Sequence, residues 1–328
     1  MWQKIVAHLS PIAYRLLIVS ICCTIGSCKT EHSIPGPENI LFLGNSITYG
    51  GRYVDYIETA FILQAQNHEV GIIDLGLSSE TVSGLSETDH PFPRPSLEDR
   101  LTACLDSIQP DQVVACYGMN CGIYHPFDGS RFSAFQEGIQ LLVDQTQSRG
   151  IKLTLLTPPP FAARLRDSFP EPNSLGYSYR FPYVQYDAVL GSYADWMLGF
   201  AANNDIEVVD IRTPLEEHMD LAYSSKDIIH PNSLGHALIA ESLLETWNRS
   251  VFPQVLTFGN DLTAEDSTWQ AVEEIVRKQR ESYDRALLNH IGHQHPGILK
   301  QAVLPLGDAF QEYQNWEGKL ETLMEQIY

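Results

Sequence analysis

Positive charge is what this sequence has least of. Its 328 residues carry 21 Lys and Arg against 41 Asp and Glu, a formal charge of −20 at pH 7. Such a surface repels phosphate backbones and anionic lipid, which argues against nucleic acid as a partner. Cysteine is scarce as well: six residues, no two of them spaced as CxxC, so neither a disulfide framework nor a structural zinc site is expected. Internal repeats are missing. The apolar run over 16–25 is too short to span a bilayer comfortably, and it suits the core of an export signal. What remains, with 44% hydrophobic residues, is enough to bury one sizeable core and a smaller appendage.

The N-terminus supports export. Lys4 and Arg15 precede the apolar run, and Ile25-Gly26-Ser27-Cys28 follows it. That tetrapeptide resembles the bacterial lipobox, in which cleavage before the cysteine leaves a thiol to be lipidated. The expectation is a signal peptide over 1–27 and a tether over 28–38, polar and stiffened by Pro35 and Pro37. The protein would be an exported, membrane-anchored lipoprotein of a bacterium, periplasmic or at the cell surface, touching the membrane only through lipid on Cys28. Plain secretion or an uncleaved anchor is the alternative. Cys22 and Cys23 would leave with the signal, and of the rest only Cys104, Cys116 and Cys121 would stay unmodified.

Beyond the tether, short apolar runs alternate with helical patterns. Runs at 40–43, 70–75, 112–117, 153–157 and 206–211 read as buried strands. Helices are expected over 52–67 (Val54, Ile57 and Phe61 inward), 97–107, 131–148, 184–203 and 234–247, the last capped by Ser233. This alternation predicts a three-layer α/β/α sandwich around a parallel sheet, occupying 39–250. The segment 162–181 has no period and reads as a pocket wall, a lid or a disordered stretch. Thr157-Pro158-Pro159-Pro160-Phe161 is a stiff loop able to wall a pocket. After Pro253 the pattern changes to two helices, 268–288 and 307–327. The second carries a stripe of Tyr313, Trp316, Leu320, Leu323 and Ile327. Residues 251–328 therefore read as a helical C-terminal extension packed on the main domain, with coiled-coil dimerisation as the alternative. Oligomeric state stays open.

In such a fold, chemistry sits at the carboxyl ends of strands. The first run ends abruptly in Gly44-Asn45-Ser46, which delivers a serine to a tight turn ahead of a helix. A serine hydroxyl needs a base, an orienting acid and oxyanion donors before it can attack. Asp227-Ile228-Ile229-His230 supplies an acid and a histidine on one short loop. Ser78-Ser79 follows the second strand and Gly118-Met119-Asn120 the third. Cys121 is expected as a buried small hydrophobe. His290, His293 and His295 lie close together without an acid or cysteine at ligand spacing, so packing is expected of them and a metal is not. Arg277, Lys278 and Arg280 read as a solvated helix face.

Jointly and in order, these blocks resemble the SGNH hydrolases, the GDSL-like lipase and esterase superfamily. Gly44-Asn45-Ser46-Ile47 matches the nucleophile block, with Asn45 in place of the usual aspartate. Gly118-Met119-Asn120 matches the Gly-x-Asn block, and Asp227 to His230 the Asp-x-x-His block. The second block is Asp74-Leu75-Gly76-Leu77-Ser78-Ser79-Glu80-Thr81, with Ser79 where the family has glycine. The pieces at 117–120, 157–161 and 290–293 also look like a longer bacterial subgroup. The resemblance implies a flavodoxin-like five-stranded sheet, Ser46 as nucleophile, His230 as base and Asp227 as its acid. The oxyanion would be held by the N–H groups of Ser46 and Ser79 and the Asn120 amide. Serine keeps the N–H that glycine would offer, provided the backbone there tolerates a Cβ. The implied activity is a serine ester hydrolase acting through an acyl-enzyme on a small or carbohydrate O-acyl ester, with no cofactor and no metal. Acyl transfer by the same residues, or a surface binding protein that keeps the fold without turnover, are the alternatives.

Overall fold

The computed structural model describes residues 38–65, 70–204, 206–248 and 266–328. The signal peptide, the tether and Cys28 lie outside the described residues. Five parallel strands, β1 (Glu38–Gly44), β2 (Val70–Asp74), β3 (Gln112–Cys116), β4 (Lys152–Leu156) and β5 (Glu207–Val209), form one sheet in the order β2-β1-β3-β4-β5. Helices cover both of its faces, giving the α/β/α sandwich. This explains why β1 and β3 read as unbroken apolar runs rather than alternating ones: Ile40 to Leu43 and Val113 to Cys116 are all buried.

The chain leaves β1 toward β2 on one side and returns to place β3 on the other. The crevice between the carboxyl ends of β1 and β3 is therefore the switch point at which such sheets hold ligands. Ser46 and Asn120 lie just past these two strand ends.

The connecting helices are α1 (Ser46–Gly50), α2 (Arg52–Ala65), α3 (Leu101–Ile108), α4 (Gly129–Gln147), α5 (Tyr186–Asn204), α6 (Arg212–Glu217), α7 (Met219–Ala222) and α8 (Ser233–Thr246). Several boundaries move from the expected ones for identifiable reasons. Helix α4 begins two residues early because Asp128 Oδ1 accepts from the N–H groups of Ser130 and Arg131, both at 3.0 Å. Strand β5 stops at Val209 because Asp210 turns the chain, accepting from Arg212 N at 2.9 Å and Thr213 N at 3.2 Å. The cap of α8 is Asn232 and not Ser233: its Oδ1 takes the N–H groups of Leu234 and Gly235, at 3.0 and 3.2 Å. The triproline loop is buried instead of lining a pocket. Pro158 fills the space where a Cβ on Gly118 would come within 2.3 Å of its ring.

The C-terminal segment consists of α9 (Ser267–Gln279), a π-helical turn (Arg280–Asp284), α10 (Arg285–Ile291), α11 (Pro296–Leu299) and α12 (Leu306–Ile327). Helix α9 packs on α2 and on α12, with Ile62, Val272, Val276 and Leu320 as a small apolar cluster between them. Arg280 does not join a solvated face. The wide π turn points Arg280, Tyr283 and Asp284 into the protein together. There Arg280 grips Asp55 through two hydrogen bonds, at 2.6 and 3.0 Å, and lies 3.6 Å from Asp74. Asp284 Oδ2 accepts the backbone N–H of Asp74 at 2.8 Å. Burial pushes the carboxyls of Asp74 and Asp284 upward, Arg280 opposes this in both, and the charge of Asp74 raises Asp284 further.

Removing one partner of a buried pair leaves the other charge desolvated and alone. Arg280→Ala is therefore expected to lower unfolding free energy by about 3–5 kcal/mol, measured by urea denaturation. A loss below about 1 kcal/mol would mean that the pair is effectively solvated.

Candidate active site

The serine turn is built by three local rules. Gly44 ends β1 where any side chain is forbidden: a Cβ there would sit 2.0 Å from Thr48 Oγ1 and 2.9 Å from the Cys116 carbonyl. Asn45 then caps α1, its Oδ1 accepting from Ile47 N at 3.1 Å, so the substitution of the usual aspartate keeps the capping bond. Ser46 follows as the first helical residue, and its own N–H has no intrahelical acceptor.

The loop from Asp227 to Asn232 brings the other two members. Ser46 Oγ lies 2.8 Å from His230 Nε2, and His230 Nδ1 lies 2.9 Å from Asp227 Oδ2. Asp227 Oδ1 is turned inward and accepts the backbone N–H groups of Ile229 at 3.0 Å and His230 at 2.9 Å. Partial burial alone would raise the Asp227 carboxyl. The hydrogen bonds from the His230 ring and backbone outweigh it and hold the group at about 2. A depressed value means that Asp227 stays ionised at neutral pH, and its charge-dependent contribution is lost only as pH falls toward 2. A carboxylate on Nδ1 fixes the tautomer that leaves Nε2 free to take a proton from Ser46.

Ser79 and Asn120 flank the serine across the crevice. Ser79 has φ +66°, the left-handed backbone that a glycine would adopt freely, at an expected cost of about 1–2 kcal/mol for an L residue. Among the described residues its N–H meets no acceptor, whereas its carbonyl accepts from Arg94 Nη1 at 3.2 Å. Asn120 is buried; its Oδ1 accepts from the Tyr124 hydroxyl at 3.0 Å, and one amide N–H goes to the Glu80 carbonyl at 3.3 Å. An amide nitrogen carries two hydrogens, so a second donor remains.

Ser46, Ser78, Ser79, Asn120 and His230 line one open cavity of about 460 Å³. Four of the five residues proposed from the sequence, Ser46, Ser79, Asn120 and His230, line this cavity, and the fifth, Asp227, adjoins it through His230. Tyr179 also lines the cavity, which makes the 162–181 segment an ordered wall; it is pinned where Tyr179 N donates to Glu87 Oε1 at 3.2 Å and Ser178 Oγ to Asp89 at 3.0 Å. Cys121 is buried.

Two buried ion pairs beneath Ser79 and Asn120 were not legible in the sequence. Arg94 clasps Glu87 through two bonds, at 2.5 and 2.7 Å, while reaching Ser79 with its third nitrogen. Burial would raise the Glu87 carboxyl, but Arg94 more than offsets that and holds it below its ordinary value. The Arg94 guanidinium also sits over the Tyr124 ring, 5.6 Å from its centroid. Arg100 clasps Glu80 in the same manner at 2.6 and 2.7 Å, and Glu80 further accepts from the Tyr117 hydroxyl at 2.6 Å. The only signal was a run of charge, 80–100, too irregular to be a helix face.

Among the described residues no group of three His, Cys, Asp or Glu side chains could hold a metal ion, and no helix is long and apolar enough to cross a membrane. His293 is instead packed in, with burial, Arg100 and His295 lowering its ring to about 4.

A parallel α/β/α sandwich with an Asp–His–Ser array at its switch point defines the class: an α/β protein equipped for acyl chemistry at a serine. More closely, the sequence profile of the GDSL-like Lipase/Acylhydrolase family matches residues 42–238, well over half of the chain. The chain belongs to that family and is a carboxylic ester hydrolase. Among solved structures it is similar in fold to a variant of an acetyl xylan esterase from Geobacillus stearothermophilus, at 19% identity, TM-score 0.50, over 68% of this chain and 99% of that one. A catalytic mutant of the same esterase matches at 19% identity and TM-score 0.49, over 65% of this chain and 95% of that one. An alpha/beta hydrolase enzyme from the metagenome of Lake Arreo, Spain, gives 19% and 0.49, over 66% and 97%. No curated protein matches the chain.

The left-handed backbone at position 79 gives a direct test. Ser79→Gly should hold or raise stability, by up to about 1 kcal/mol, and Ser79→Val should lower it by about 1–2 kcal/mol, because a β-branched residue suits that region worst. Denaturation midpoints of the two variants against the parent decide it. Equal midpoints would show that the turn relaxes out of the left-handed region.

Proposed function

We propose that Ser46 is the nucleophile of a serine ester hydrolase that removes short acyl groups from small or carbohydrate esters through an acyl-enzyme. The observation that carries this is the continuous hydrogen-bonded line from Asp227 through His230 to Ser46, opening on a cavity flanked by unused donors at Ser79 and Asn120.

In this reading His230 Nε2 takes the proton as Ser46 Oγ attacks the ester carbonyl. The tetrahedral oxyanion is held by the N–H groups of Ser46 and Ser79 and by the second amide hydrogen of Asn120. His230 then gives its proton to the leaving alcohol, and water repeats the sequence on the acyl-enzyme. Asp227 orients the imidazole and supports its charge without accepting the proton, consistent with a carboxyl held at about 2. The acetyl xylan esterases of similar fold lean the choice of substrate toward sugar esters, as does an acidic surface that avoids anionic lipid. Export and lipidation at Cys28 belong to the same proposal; fractionation of cells producing the parent and Cys28→Ala chains, with the parent alone found in membranes, tests them.

On p-nitrophenyl acetate, Ser46→Ala and His230→Ala should each cost turnover on the order of 10⁶. Asp227→Asn should cost about 10⁴, through the wrong tautomer, and Asn120→Ala about 10²–10³. A fluorophosphonate probe should label Ser46 in the parent and not in His230→Ala. Full esterase activity in Ser46→Ala would end this assignment.

A further inference from the structure

Outside the reacting atoms, one wall of the cavity is made of four rings, His90, Phe92, Tyr179 and His295. Phe92 stands between the two histidines, its centroid 4.7 Å from each; Tyr179 lies 5.3 Å from His90. His90 and Phe92 come from the loop after β2, Tyr179 from the 162–181 wall and His295 from the C-terminal segment.

The backbone fixes the two histidines in opposite tautomers. His90 Nδ1 lies 2.5 Å from the Phe92 carbonyl, which can only accept, so this nitrogen carries the hydrogen and Nε2 is left as an acceptor. His295 Nδ1 accepts the backbone N–H of Ile298 at 3.2 Å, so its hydrogen is on Nε2, a donor. Neither Nε2 has a hydrogen-bond partner among the described residues. Burial lowers both rings, with Arg94 adding to the effect at His90, so both are neutral at pH 7. Of the residues lining the cavity Arg94 is the only arginine, and its charge is met by Glu87; Arg180 is not among them and lies over the Tyr179 ring, 5.3 Å from its centroid.

We infer that His90 Nε2 and His295 Nε2, set on either side of Phe92, form a binding subsite for the alcohol half of the substrate, and that this half is a neutral polyhydroxylated ring such as a pyranoside. A polyol offers several hydroxyls, one able to donate to His90 Nε2 and another to accept from His295 Nε2, and ring C–H faces suit the flat rings of Phe92 and Tyr179. The inference rests on the ester-hydrolase reading of Ser46 and narrows it.

The test compares a mono-O-acetyl methyl glucopyranoside with cyclohexyl acetate, a ring without further hydroxyls, and with p-nitrophenyl acetate. Asparagine in place of either histidine keeps a side-chain group at the Nδ1 position, so His90→Asn still donates to Phe92 and His295→Asn still caps Ile298, while each loses its Nε2. The parent should favour the sugar ester over cyclohexyl acetate in kcat/KM. Each variant should lose about two- to tenfold of that preference, while a fluorophosphonate still labels Ser46. His90→Gln, which restores a polar atom at the Nε2 distance, should recover part of it. An unchanged preference in both variants, an equal loss on all three esters, or a parent that prefers cyclohexyl acetate would overturn the subsite while leaving the esterase reading intact. A parent inert to all three esters and to a fluorophosphonate overturns that reading, and the subsite with it.

Discussion

Arg94 reaches the Ser79 carbonyl with one nitrogen while Glu87 grips the other edge of its guanidinium, and the side of the cavity formed by Ser79 and Asn120 is arranged around that clasp. A left-handed serine relaxes unless something over-determines it, and a hydrogen bond to its carbonyl from an immobile donor does so. The same guanidinium lies over Tyr124, whose hydroxyl sets the Asn120 amide. Both donors flanking Ser46 are therefore referred to one buried cation. A desolvated ion pair is a poor source of stability, since two charges leave water to form it. Here it works as a fixed point from which two donors are aimed.

The pattern recurs. Arg100 and Glu80 form a second clasp, with Glu80 offering its carbonyl to Asn120, and Arg280 and Asp55 form a third behind the serine turn. The first closes one loop over seven residues, the second spans twenty beside the Thr81–Ser96 bridge, and the third spans 225. Apolar packing alone positions secondary structure well and loop backbone poorly, because it is non-directional. A bidentate arginine fixes direction as well as distance, which is what three loops converging on one crevice require.

This also explains what could be read from the chain beforehand. The strands were readable because their rules are local, an apolar run between turn residues, and the Ser46, Asp227, His230 and Asn120 positions because their blocks, taken jointly and in order, resemble those of the SGNH family. The arginine clasps did not, since nothing in a sequence joins Arg94 to Glu87 or Arg280 to Asp55. Arg280 illustrates the failure. It sits in a helix next to Arg277 and Lys278, and by charge pattern it belongs on the water face. A π turn adds a residue to the circuit, rotates it inward, and leaves no signature in hydrophobic periodicity. Ser79 was the opposite case: its departure from glycine was visible at once, but whether the backbone stayed left-handed depended on Arg94, fifteen residues away.

The C-terminal helices change character in the same light. An appendage that merely covered α2 would need only apolar contacts such as those of Val272, Val276 and Leu320. This one also places Arg285 Nη2 2.6 Å from the Tyr49 carbonyl, with its guanidinium stacked on the Tyr49 ring, and extends Arg280 to the Gly50 carbonyl at 3.4 Å. Those carbonyls belong to α1, the single turn that begins at Ser46. Asp284 holds the N–H of Asp74, and Asp74 in turn holds the N–H of Gly76, at the start of the loop that ends in Ser79. Both turns that shape the site are thus braced from behind by one π-helical segment, and the same stretch of chain continues to His295 on the front wall. A segment tied to the Ser46 turn, to the loop that carries Ser79 and to the cavity lining cannot shift without moving all three, so its geometry is part of the site.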